Sequence, residues 1–121
     1  RGMYFRNIFI HPTVMWRCDA MKENELYPET YPDAEDYGFF YQFLLKGECA
    51  IIPEYLVTCE INHKGISLNS RKKQLNSRIK VVREYGRNRV LRYLGVLKLR
   101  LLLCIPYNLV FALKRVLYGV K

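Results

Sequence analysis

Cysteine is scarce and unpatterned in this chain: Cys18, Cys49, Cys59 and Cys104 form no C-x-x-C pair, and no segment resembles a secretory leader, so they read as free thiols in a reducing compartment. Glycine and proline number only 7 and 5 in 121 residues, which excludes collagen-like and linker-like compositions, and the lack of a regular period excludes a solenoid. Long apolar runs are missing too. The longest uncharged stretch, Leu101 to Leu113, has 13 residues, short of the roughly 20 that cross a bilayer core. Acidic residues all but vanish after residue 68, where Glu84 is the single one.

What remains is half apolar and a quarter charged, enough for one domain with a sizeable core. The net charge of +9 divides unevenly, with −4 over residues 1–68 and +13 over residues 69–121. Such a division points to an acidic globular part followed by a basic, surface-seeking part, and to anionic partners for the latter.

Ile8 to Trp16 is rich in β-branched and aromatic residues and predicts a strand, with Pro12 marking an edge or a bulge. Residues 19–34, punctuated by Pro28 and Pro32, predict an irregular loop. Asp33 followed by Asp36 resembles a capping box, after which Tyr37, Phe40, Tyr41 and Leu44 recur at helical spacing up to a stop at Lys46-Gly47. Ala50 to Ile61 predicts one or two strands interrupted by Pro53, then a polar break at Asn62 to Gly65. A second helix, capped by Ser67 or Asn69, runs to about Tyr85 with Leu75, Ile79 and Val82 on one face. From Arg89 to Tyr118 a third segment, about 45 Å long if wholly helical, has Pro106 to kink it. Its Leu, Ile and Phe, bordered by Arg92, Lys98, Arg100, Lys114 and Arg115, suit an interfacial helix whose cations reach lipid headgroups. The alternative is a helix hairpin packed on another domain.

Glu35-Asp36 is the pair that bears on chemistry. Backbone N–H groups and the macrodipole of a helix N-terminus stabilise a carboxylate there, so Asp36 is placed to accept a proton from a bound hydroxyl, although acids in a first turn commonly serve only as caps.

Asn7, the FIHPTVMWR run from Phe9 to Arg17, AEDYGFFYQFLLKG from Ala34 to Gly47, IIPEYLVTCEINHKGIS from Ile51 to Ser67 and the basic helices that follow occur in one order. That ordered combination resembles the C-terminal half of a glycosyltransferase family 2 enzyme over about residues 5–80. The resemblance implies an α/β fold, a partial GT-A arrangement of acceptor-side strands and helix over residues 1–68, with a basic helical tail over residues 69–121. It implies inverting transfer, with Asp36 as catalytic base, Glu35 orienting acceptor or base, and Tyr37 and His11 on the acceptor side. His63 and Lys64 match the region where such enzymes meet the metal or the diphosphate, and a divalent cation, Mg²⁺ or Mn²⁺, is expected in the complete enzyme.

Family members carry an N-terminal nucleotide-binding half ending in an Asp-x-Asp type motif. This chain starts at Arg1 and contains no such half, so it is expected to be a piece of a longer enzyme, inactive alone. The implied partners are a nucleotide-sugar, a saccharide or lipid-linked acceptor, the other half of the enzyme and an anionic membrane. The implied location is peripheral, on the cytoplasmic face of a bacterial inner membrane where surface glycans are made. The competing class is a basic membrane- or nucleic-acid-binding module without catalysis. Nucleic acid is disfavoured by the Leu and Val between the charges of residues 90–117.

Overall fold

A computed structural model describes residues 1–22, 27–58, 70–106 and 109–110. Among the described residues the helices are α1 (Cys18–Lys22), α2 (Glu35–Lys46), α3 (Arg71–Tyr85) and α4 (Arg89–Cys104), with 3-10 turns at Gly2–Tyr4 and His11–Thr13. No strand occurs among the described residues. The α/β fold with acceptor-side strands is therefore corrected: what is described is helical.

The reason lies in pairing. β-Propensity expresses how well a side chain fits a pleated surface, and a strand exists only beside another. In the Ile8–Trp16 segment Ile10 and Val14 do have extended backbone, but His11–Thr13 winds into a turn with Pro12 near its start. Thr13 N–H and its hydroxyl both donate to the Ile10 carbonyl, at 2.8 and 2.7 Å. Residues 50–58 carry no regular structure and face solvent, and the remainder of the expected second strand, Cys59 to Ile61, lies outside the described residues.

Helix α2 forms the centre of the core. Tyr37, Phe39, Phe40 and Tyr41 are all buried, so the helix is enclosed on most sides rather than along one stripe. α3 brings Leu75, Ile79 and Val82 to it, the face expected from spacing, with Val81 as well. Each such side chain removed from water stabilises the fold by about 1.5–3 kcal/mol. α4 packs along α3 and contributes Leu99. The basic tail helices thus share one core with the acidic half.

The helix ends follow local chemistry. The expected capping box at the start of α2 is not formed: Ala34 is the N-cap, without a side-chain bond. Asp33 instead adopts φ 65°, and its N–H donates back to Glu35 Oε1 at 2.9 Å. Its carboxylate lies 3.5 Å from Lys73 Nζ at the start of α3. At the other end Gly47 N–H donates to Phe43 O. α3 begins after Ser70 and stops at Gly86; Ser67 and Asn69 are outside the described residues. α4 ends at Cys104 because Ile105, restricted by the proline after it, is extended. Arg71 then donates to the carbonyls of Leu102 and Ile105, supplying partners to the end of α4.

The N-terminal turn is seated between α2 and α4. Met3 is buried, and its carbonyl accepts from the Tyr37 hydroxyl. The Tyr4 hydroxyl accepts from Asn88 N–H at 3.0 Å, at the N-cap of α4. The backbone of Tyr4 lies directly on Gly95, where any Cβ would collide with the Tyr4 carbonyl oxygen.

Tyrosine is a main component of this core, and that has a pH consequence. Tyr31, Tyr37 and Tyr41 are held well above the usual phenol range, in each case mainly by removal from water; a hydrogen bond to Glu84 adds to the effect at Tyr31, and Arg78 opposes it at Tyr37. A raised folded-state value means the unfolded chain loses its protons first, so this contribution to stability is intact below about pH 10 and is lost progressively above it. Urea unfolding between pH 8 and 11.5 is expected to show a steep decline that starts near pH 10 and is shallower in Tyr37→Phe.

Candidate functional site

The N-terminal end of α2 gathers polar side chains from three separate segments. Asp36, in the first turn and half-buried, is held through both oxygens: Oδ2 accepts from Asn7 Nδ2 at 3.0 Å and Oδ1 from Tyr37 N–H at 2.7 Å. Asn7 is itself fixed, because its Oδ1 accepts from Phe9 N–H at 3.1 Å while the Phe9 ring packs on Phe40. A carboxylate offers about four acceptor sites, and these bonds take two of them.

His11 and Tyr27 lie close by. Tyr27 OH is 2.7 Å from His11 Nε2, and the Tyr27 ring stacks on Phe39 with centroids 4.4 Å apart. His11 meets Phe40 edge-on. The Tyr27 phenol is pushed up, first by removal from water and second by the negative charge of Asp36, so the field of that carboxylate reaches it. Trp16 completes the aromatic surface against Phe39, Phe40 and Phe43.

The expected site residues divide accordingly. Asp36 and His11 come to this end of α2. Glu35 is beside Asp36, but it holds the Asp33 N–H and so shapes the loop. Tyr37 turns away into the core, 1% exposed, its hydroxyl on Met3 and its ring beneath the Arg78 guanidinium; an acceptor-binding role does not fit that position. Of the expected membrane-contacting cations, Arg100 is exposed on α4, Arg92 extends toward the Gly86 carbonyl at 3.5 Å, and Lys98 donates to the Phe5 carbonyl and lies over the Phe5 ring. Lys114 and Arg115 lie outside the described residues, as do His63 and Lys64.

Among the described residues no group of three His, Cys, Asp or Glu side chains is placed to hold a cation. Cys18, Cys49 and Cys104 are exposed free thiols. Two members of the site escape a reading by spacing. Asn7 has only the short-range signal of an Asn two residues before an aromatic, and Tyr27 stands in a loop with no period.

The Asn7–Asp36 contact makes a testable pair. Asn7→Ala is expected to keep the helical circular-dichroism signal and to lower Tm by roughly 3–6 °C, the effect of about 1 kcal/mol lost from a charge-assisted bond. Asn7→Asp sets two carboxylates against each other. Its Tm is expected to fall below that of Asn7→Ala at pH 7 and to recover relative to it below about pH 5, as one of the two protonates.

Comparison with protein-family models, with curated proteins and with solved structures finds no match to this chain.

Proposed function

We propose that the chain is the acceptor-side part of an inverting sugar transferase, with Asp36 as its general base. In the proposed step an acceptor hydroxyl oxygen forms a bond to the anomeric carbon of a nucleotide-sugar. The bond from that carbon to the diphosphate oxygen breaks, the nucleoside diphosphate leaves with the electron pair, and the hydroxyl proton passes to Asp36. The anomeric centre inverts because attack and departure occur on opposite faces.

The observation that carries this reading is a carboxylate fixed in orientation by Asn7 and the Tyr37 amide, with acceptor sites to spare, at a half-exposed helix end. A base must first be within reach and correctly aimed. The exposed His11–Tyr27 pair beside it supplies polar atoms and ring surface suited to a saccharide. Glu35 acts as a positioning residue through the Asp33 turn, and Tyr37 positions Asp36 through its amide. Donor binding belongs to another part of the enzyme, and α4 carries the protein onto an anionic membrane surface.

The test is Asp36→Asn in the enzyme joined to its donor-binding part. An amide keeps the shape and cannot take the proton, so transfer is expected to fall at least 10²-fold, within the usual range for a lost general base of about 10²–10⁴, while nucleotide-sugar affinity stays within about twofold. Glu35→Gln is expected to be milder. Transfer within about threefold of wild type in Asp36→Asn overturns the assignment.

A further inference from the structure

The turn between α3 and α4 opens onto a groove of about 430 Å³ lined by Arg83, Arg89, Arg92 and Arg100 with Tyr93, Val96 and Leu97. Positions 89, 92, 93, 96, 97 and 100 follow the helical repeat, so one face of α4 forms the wall along about 16 Å, and Arg83 reaches in from α3. Four arginines line the groove, and among the described residues none of the four forms an ion pair with a carboxylate. The acid nearest in sequence, Glu84, accepts from the Tyr31 hydroxyl at 2.6 Å. Arg83 also borders a shallow depression lined by Thr30, Tyr31, Lys80 and Glu84.

Uncompensated arginines repel one another, and an anion that accepts from several relieves the repulsion. The guanidinium fork matches phosphate oxygens two at a time, which a lysine ammonium does not. A volume of this size suits a small-molecule group. The decisive feature is apolar: Val90, Tyr93, Leu94, Leu97 and Leu101 on the same helix are each exposed by 40% or more. A nucleic acid in the groove would leave that stripe in water, whereas a lipid covers it with acyl chain while its phosphate enters the arginines.

We infer that this groove is a binding site for the terminal phosphate or diphosphate headgroup of a membrane lipid. The inference rests on the membrane attachment proposed above and is independent of sugar transfer. It goes beyond general Coulomb attraction, since a built site distinguishes headgroups of equal charge.

The experiment is cosedimentation of the full 121-residue chain with phosphatidylcholine vesicles containing either phosphatidate or phosphatidylserine, adjusted to equal surface potential. Phosphatidate, which offers a phosphomonoester, is expected to bind at least about fivefold more tightly. In Arg83→Lys/Arg92→Lys/Arg100→Lys, which keeps the charge and the helix propensity, that preference is expected to shrink below about twofold while phosphatidylserine binding stays within about twofold. Far-UV circular dichroism verifies that the variant is folded, and Arg89→Lys alone, expected to lose part of the preference, provides a milder second variant. Equal binding to the two lipids by the wild type, or a preference that survives the triple exchange, overturns the headgroup site alone. Failure to bind either vesicle overturns the membrane attachment beneath it. Inorganic pyrophosphate bound as tightly as vesicle phosphatidate, or release from vesicles by stoichiometric RNA, overturns the lipid assignment in favour of a soluble phosphate or a nucleic acid.

Discussion

The seating of the N-terminal 3-10 turn between α2 and α4 is the constraint on which the candidate site depends. The Tyr37 hydroxyl holds the Met3 carbonyl from one side, and the bare backbone of Gly95 receives Tyr4 from the other. A buried carbonyl without a partner is costly, and a methyl group at Gly95 would force the turn outward. With the turn in place, Asn7 falls within reach of Asp36, so one polar contact 29 residues apart in sequence inherits its geometry from two packing contacts that contain no charged group. The same seating connects the basic α4 to the core.

Helices α2 and α3 are legible in the sequence for local reasons, whereas α1, Cys18–Lys22, overlaps the stretch that reads as an irregular loop. Tyr37, Phe40 and Tyr41 mark α2 by spacing and Gly47 marks its end; Leu75, Ile79 and Val82 mark the buried face of α3. Ile8–Trp16 and residues 50–58 have the composition of strands but no described partner strand, and pairing is not a property of one segment. The start of α2 differs from its local motif in a related way. Asp33 and Asp36 have capping spacing, yet Asp33 is bound to Lys73 on α3 and turned to a positive φ, so tertiary contact replaced the local motif.

Within the site, Asp36 could be singled out from its place in a first helical turn, but not the amide that orients it. Tyr37 has an acceptor-side role only through the resemblance, whereas its helical spacing with Phe40 and Tyr41 places it with the apolar residues. One residue along a helix is a rotation of about 100°, enough to carry its ring from the half-exposed rim into the core. On α4 the sequence displays the cations but not the groove they line with Arg83, which comes from α3 across the turn at Gly86. The charge asymmetry acquires a structural meaning: the carboxylate end of α2 and the arginine-lined groove are regions of opposite charge on one core.

The most direct measurement of this account is the hydrogen exchange of the Asn7 side-chain amide, followed by NMR in the wild-type chain and in Gly95→Ala. A seated turn predicts Asn7 amide protons that exchange several-fold more slowly than those of a free asparagine, and a return to the free rate in Gly95→Ala while the α2 backbone amides remain protected. Asn7 protons that exchange freely in the wild type, or that are as slow in Gly95→Ala as before, would contradict the claim that the seating on Gly95 sets the partner of Asp36.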